Sequence, residues 1–193
     1  MGTVILSMSH SLDGYITGPD GGFDWSAPDE QIFQAALDEV RGLSAHLLGR
    51  RLYETMVYWD DPANSAGWTA PEHEFAEVWR ALPKIVFSTT LSEVRGANTR
   101  LASDDLVVEL SRLRDDPTVG EVAIGGATLA AAAADAGLID EYRGTAYPAL
   151  VGGGVPFFPR GDRQVELELV SSRTFDSRVV ATRYRVVRSG TGA

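Results

Sequence analysis

Short apolar runs alternate with segments of helical periodicity over the first two thirds of this chain, and that alternation restricts the fold more than any other feature. Val4-Ile5-Leu6-Ser7-Met8 is apolar on both faces, the composition of a strand covered on both sides. His46-Leu47-Leu48, Lys84-Ile85-Val86-Phe87 and Glu121-Val122-Ala123-Ile124 read as further strands. Between them, Phe33, Leu37, Val40 and Leu43 recur at helical spacing, and Ser26 with Asp29 three residues on resembles a helix start. A short helix runs from the Gly49-Arg50-Arg51 turn through Met56, another spans Glu72 to Leu82, and Leu106, Val107, Leu110 and Leu113 stripe a fourth. Gly125-Gly126 opens an Ala-rich segment ending near Gly137. Strands followed by crossover-sized helices predict an α/β fold, a central sheet with helices on both faces.

Beyond Asp140 the pattern changes. Tyr142 to Tyr147, Val165 to Ser172 and Val179 to Val187 read as antiparallel strands added to the sheet edge, the last two joined by a hairpin at Phe175-Asp176-Ser177. Tyr58 to Pro71, rich in aromatics and interrupted by proline, predicts a long lid or binding loop. Gly152-Gly153-Gly154 precedes Pro156 rather than a helix and predicts a flexible strand-end loop. A single domain over residues 1–188, with a frayed tail at 189–193, accounts for the 193 residues.

Composition excludes several function classes. A net charge of −10 without a basic face disfavours nucleic acid as a partner. The absence of cysteine removes disulfides, thiolate metal sites and cysteine nucleophiles together. His10, His46 and His73 share no metal-ligand spacing, so no metal is expected. There is no G-x-S-x-G elbow for serine hydrolysis and no G-x-G-x-x-G after the first strand. No apolar stretch approaches ~18 residues and no leader pattern opens the chain, which predicts a cytoplasmic protein without a membrane partner.

What remains is a set of strand ends suited to anions. Ile124-Gly125-Gly126-Ala127-Thr128 carries a strand into a helix, leaving free backbone N–H groups at a positive dipole end; a tight turn needing glycine only for packing explains the same residues. Gly49-Arg50-Arg51 repeats the junction with two guanidiniums, and Ser88-Thr89 adds hydroxyls at a third strand end. Arg50 and Arg51 as solvated helix-start charges are the competing reading.

These residues carry a family resemblance. "SLDGYITGPDGGFDW", "LLGRRLYETM", "VFSTTL", "IGGATLAAAAADAGLIDEY" and "YPALVGGGVPFFP" together resemble the dihydrofolate-reductase-like superfamily, and within it stand-alone relatives of the reductase domain of the riboflavin-biosynthesis deaminase-reductase. The resemblance implies a three-layer fold with an antiparallel C-terminal hairpin, NADPH as cofactor, a pteridine-like or pyrimidinone-like heteroaromatic substrate and a homodimer. By motif, Gly49, Arg50 and Arg51 would meet the cofactor phosphates, Ser88 and Thr89 the adenosine ribose and its 2′-phosphate, and Gly125, Gly126, Ala127 and Thr128 the pyrophosphate and nicotinamide side. Trp25-Ser26-Ala27-Pro28-Asp29-Glu30 resembles the family stretch W-x-x-P-x-D and offers Glu30 as the catalytic carboxylate, buried beside Trp25 and Phe33; Asp13 in "SLDG" is the second candidate. Leu52 replaces a threonine common in these families, and Ala130 an aromatic of folate-type enzymes, which points away from folate reduction. A domain that keeps the fold and binds a nucleotide without turnover is the alternative.

Overall fold

The computed structural model describes residues 2–158 and 164–188. The chain opens with β1 (Thr3–Ser11) and β2 (Tyr15–Thr17), then α1 (Glu30–Gly42), β3 (Leu43–Gly49) and α2 (Arg50–Met56). It continues through α3 (Ala70–Ala81), β4 (Lys84–Phe87), β5 (Thr99–Leu101) and α4 (Leu106–Asp115). After β6 (Glu121–Gly125) and α5 (Ala127–Asp135) come β7 (Glu141–Tyr147), β8 (Val155–Pro156), β9 (Leu167–Thr174) and β10 (Val180–Val186).

One eight-stranded sheet, in the order β5-β4-β3-β6-β1-β7-β10-β9, organises the molecule, and β2 pairs β8 in a separate two-stranded sheet. The unbroken apolar run of β1 is explained by its place: it pairs in parallel with β6 and β7, Leu6 standing between Ile124 and Tyr142, and Val4, Ile5 and Leu6 are buried. Alternate residues face two cores. Val4, Leu6, Leu47, Ile85 and Ile124 pack with Leu110, Leu129 and Ala133 of α4 and α5. Leu48 and Val86 pack against Leu37 of α1 and Phe75 and Trp79 of α3. The mixed sheet covered by helices on both faces bears out the expected fold class.

Several local expectations are corrected. β7 is not an added antiparallel strand: it runs parallel to β1 in register Ile5↔Glu141 to Ser11↔Tyr147, and the antiparallel pairing begins only at β10. Leu43 belongs to β3, because α1 ends at Gly42, and the cap of α1 is Asp29, whose carboxylate accepts from Ile32 N at 2.9 Å, while Ser26 lies in a preceding 3₁₀ turn. Tyr58 to Pro71 is not an open loop but two 3₁₀ turns running into α3, whose start is fixed by a Thr69–Glu72 capping box. Trp59 packs there against Phe75 at 4.8 Å and Trp68 at 5.3 Å, with tilted rings, which holds the segment down. β9 starts at Leu167, two residues after the expected Val165. The hairpin at Phe175-Asp176-Ser177 is present, closed by Phe175 N donating to Val179 O at 2.9 Å. The expected tail 189–193 lies outside the described residues. Among the described residues no helix is long and apolar enough to cross a membrane.

Candidate functional site

Parallel pairing sets the carboxyl ends of β4, β3, β6, β1 and β7 along one sheet edge, and every residue proposed for the site from the sequence lies at or just beyond that edge. The three strand ends picked out by their glycines, arginines and hydroxyls belong to neighbouring strands: Gly49 of β3 pairs with Phe87 of β4, and Leu48 with Gly125 of β6.

The turns after β3 and β6 touch. A Cβ on Gly126 would sit 3.2 Å from both Cα and N of Gly49, so the two backbones approach as only glycine allows, and Gly126 holds φ +99 besides. A Cβ on Gly125 would collide with Leu52 Cδ2 and lie 3.0 Å from His46 Nε2. Leu52 therefore plugs the back of the β6 turn where a hydroxyl was expected to be missing. Close packing, one of the two readings of these glycines, is present.

Helix capping sets the turns after β3 and β6 apart from the other helix starts. α1, α3 and α4 begin with the side-chain caps Asp29, Thr69 and Asp105. α2 and α5 begin at Gly49 and Gly126 with no side-chain cap, so their first-turn N–H groups have no intrahelical partner. Arg50 reaches Glu54 at 3.7 Å, one turn along, and Arg51 is exposed. Ser88 is half-buried and its Oγ accepts from Thr90 N and Leu91 N, each at 3.1 Å, so it fixes the turn after β4; Thr89 beside it is exposed. Thr128 is exposed on the first turn of α5, and Ala130 is buried in the core beneath.

The carboxylates are placed differently from expectation. Glu30, the first residue of α1, is exposed rather than buried beside Trp25 and Phe33, because the helix turns it to solvent while Ile32 faces inward. Asp29 takes the wall position. It lines a cavity of about 230 Å³ with Trp25, Ala27, Ile32, Tyr147 and Ser177. Its carboxyl is held below the usual range by the Ser177 hydroxyl and the Ile32 N–H, so it is an anion at neutral pH. Asp13 is also exposed and lies below the usual range, held by the Ser11 hydroxyl and by the N–H groups of Gly152, at 2.8 Å, and Val151. It ties the Gly152–Gly154 loop to the turn after β1; a Cβ on Gly154 would collide with Thr17 O, and Val155 pairs with Thr17. A larger cavity, about 440 Å³, opens at the other end of the sheet beside Ile139, Val187 and Arg188, away from every predicted site residue.

Sequence reasoning missed Tyr147. It ends β7 opposite Ser11 of β1, its ring meets Trp25 edge to face at 6.1 Å, and burial together with the Asp29 charge pushes its phenol pKa up. The only sequence signal was its position at a strand's carboxyl end.

Comparison with known proteins agrees with this geometry. Residues 2–181 match the family of the RibD C-terminal domain. Over 181 residues the chain is 30% identical to the uncharacterized protein YyaP of Bacillus subtilis (strain 168), covering 94% of this chain and 93% of that protein. A diaminohydroxyphosphoribosylaminopyrimidine deaminase/5-amino-6-(5-phosphoribosylamino)uracil reductase from Thermotoga maritima superposes with TM-score 0.68 at 17% identity, over 96% of this chain and 57% of that one. Dihydrofolate reductase from Enterococcus faecalis, complexed with NADP(H) and RAB-propyl, superposes with TM-score 0.60 at 17% identity, over 96% of each chain. The architecture is therefore that of dihydrofolate reductase.

Proposed function

This chain belongs to the RibD C-terminal domain family, and on that premise we propose that it is an NADPH-dependent reductase delivering a hydride to a small pteridine-like or pyrimidinone-like heteroaromatic substrate. The observation that carries the reading is the pair of uncapped helix starts in backbone contact at the ends of β3 and β6. Helix N-termini left without side-chain caps suit a pyrophosphate, and the absent Cβ of Gly126 lets the two helix starts lie against each other so that one anion can meet both. This chain's own residues thus fit the cofactor.

In this reading Gly49, Gly125, Gly126, Ala127 and Thr128 cradle the pyrophosphate by backbone. Arg50 and Arg51, with Thr89 on the turn that Ser88 fixes, meet the 2′-phosphate and set the preference for NADPH over NADH. The nicotinamide, when bound, supplies the hydride. The protein orients the substrate in the cavity beside Asp29, which accepts a hydrogen bond from a ring N–H, the task expected of Glu30 or Asp13. Asp13 keeps the Gly152–Gly154 loop against β2 and so shapes the neighbouring wall. Holding two reactants in line lowers the barrier chiefly through orientation. The domain runs over residues 1–188 and acts in the cytoplasm as a homodimer, whose contact is supported by β9, exposed along its length with Leu169 and Val170 outward.

Separate titrations with NADPH and NADH, read by melting temperature, test the proposal. A ligand at a hundred times its Kd stabilises the folded state by about 2.7 kcal/mol. NADPH is expected to raise the melting temperature well above NADH at equal concentration; no response to either removes the cofactor and with it the reading. NADPH oxidation with a pteridine or pyrimidinone distinguishes a reductase from a domain that only binds the nucleotide.

A further inference from the structure

The C-terminal hairpin reaches both cavities of the molecule. Its tip stands in the wall of the smaller one: Ser177 and Val179 line the cavity beside Asp29, Phe175 and Val179 are buried with Ile32 and Tyr147, and Gln31 Nε2 donates to Asp176 Oδ2 at 2.7 Å. Its open end stands at the larger one, where Val165, Val186 and Val187 line about 440 Å³ with Ile139, Tyr142 and Arg188. Between the two ends β10 is anchored to β7 from Val180 to Arg185, whereas β9 ends the sheet and all of its residues are exposed.

The open end carries an apolar face. Leu169 pairs with Tyr184 and Leu167 with Val186, so these four side chains share one side of the sheet with Tyr142, which pairs with Tyr184 and lines the larger cavity. Leu169 is 54% exposed and Val165, on the cavity rim, 48%. Exposed apolar side chains gathered beside a concavity mark a contact surface, and a long edge strand adds unpaired backbone groups to it.

Charge and shape select the partner. At a net charge of −10 two copies of this chain repel one another as wholes, yet between Gln164 and Arg188 five arginines stand against three acids, so this face escapes the repulsion. A ridge of Leu167 and Leu169 beside a hollow is self-complementary, as a two-fold contact requires, because each copy then presents the same patch to the other.

We propose that a second copy of this chain seats on this face of β9 and β10, and that the contact is coupled through β9 to the wall of the Asp29 cavity. The seated copy fixes β9, and β9 runs directly into Phe175, so the tip that brings the Ser177 hydroxyl to Asp29 is held as firmly as the strand behind it. Coupling is reciprocal: a ligand that fixes the tip strengthens the association by the same factor. The homodimer itself comes from the reductase reading; its face and its link to the site go beyond that reading.

Trp25 reports on the tip, because its Nε1 is buried in the same cavity wall without a hydrogen-bond partner, beside the equally bare Tyr147 hydroxyl. Sedimentation velocity reads the association state. The indole N–H signals of ¹⁵N-labelled protein, with that of Trp25 identified by its loss in Trp25→Phe, read the wall. The wild type is expected to be a dimer. Leu169→Lys and Val165→Lys each put a charge at an exposed position; both should keep a cooperative thermal transition, weaken association at least tenfold, and shift or broaden the Trp25 signal while those of Trp59, Trp68 and Trp79 hold. Val165 lies outside β9, so a Trp25 change common to both variants comes from loss of the partner and not from a disturbed strand. Leu169→Ile should preserve the dimer and the signal. A monomeric wild type, dimers that withstand both lysines, or monomeric variants with the wild-type Trp25 signal overturn the proposal. NADPH added to the same samples separates the two readings. A monomeric wild type that binds NADPH sinks the seat and leaves the reductase standing, whereas a dimer whose Trp25 signal follows association without binding NADPH supports the seat and sinks the reductase.

Discussion

The two ends of the parallel sheet are built on opposite rules. At the amino end, charge is buried and answered. Arg143 donates to Glu141 and Glu121, with Glu39 of α1 at 3.5 Å, and Arg183 of β10 adds a second guanidinium to Glu141 at 2.9 Å. Asp140 accepts from Val4 N at 2.8 Å, from Arg114 and from Arg188. Arg114 Nε is the exception there, bare although its Nη2 is paired twice. At the carboxyl end two helices start uncapped, and two ring donors face a cavity without partners. A parallel sheet puts all strand entries on one edge and all strand-to-helix turns on the other, so one edge can be tied down by side chains while the other keeps its backbone and ring donors for a ligand.

Removing the answer at the amino end tests this division most severely. Arg143→Met leaves the buried Glu141 with only the half-exposed Arg183 and Glu121 with, among the described residues, no guanidinium nearer than 3.9 Å, so the loss falls toward the lower end of the about 3–5 kcal/mol that breaking a buried ion pair from one side costs. Urea denaturation is expected to register that loss while NADPH affinity, measured at a temperature where the variant is folded, stays within twofold. A tenfold loss of affinity at unchanged stability would erase the distinction between the ends.

Gly126→Ala probes the opposite edge. At φ +99 and 3.2 Å from the Gly49 backbone, an added methyl strains both turns, a cost of about 1–3 kcal/mol. Unlike Arg143→Met it should also weaken NADPH at least tenfold, because the shifted turn carries the N–H groups. Loss of stability with intact NADPH affinity would leave these glycines as packing devices only.

His46 lies beneath that turn and gives the comparison a pH signature. Burial, reinforced by the Lys84 charge, lowers its pKa from 6.5 to about 4, so it is neutral in the folded protein. The unfolded chain binds the proton first as pH falls, and stability therefore drops from 6.5 downward and levels off near 4. Between pH 7 and pH 5 the loss is about 2 kcal/mol. His46→Leu should flatten that part of the stability curve. A slope that survives the substitution would have to be reassigned to other groups.

How far the sequence revealed this division depends on what each region needed from its residues. Buried strands need short apolar runs, so β1, β3, β4 and β6 are legible, as are glycines where two backbones touch. Strand direction leaves no such trace: Tyr142 to Tyr147 reads alike beside a parallel or an antiparallel neighbour, and only the structure shows β7 parallel to β1. Thr99–Leu101 is too short and polar to register as β5. The motif points to Glu30 whereas Asp29 lines the cavity, since the two differ only in the angle at which they leave α1, which no motif encodes. Tyr147 was illegible as a site residue because its isolation depends on Trp25, distant in sequence and adjacent in space.

The smallest structural change carries the sharpest functional reading. Arg51 is exposed at the start of α2, where a cation opposes the helix dipole, and among the described residues no carboxylate pairs with it, whereas Arg50 has Glu54. Its replacement by alanine should leave stability within about 0.5 kcal/mol, the usual range for exposed positions. If Arg51 answers the 2′-phosphate, Arg51→Ala lowers NADPH affinity about tenfold or more, since a hydrogen bond to a charged group contributes about 1.5–3 kcal/mol. NADH, which lacks that phosphate, should bind Arg51→Ala and wild type alike, and the NADPH difference should shrink with added salt. Equal losses for both nucleotides would move Arg51 to the pyrophosphate. No loss for either would make it a solvated charge and leave backbone N–H groups alone at the carboxyl edge.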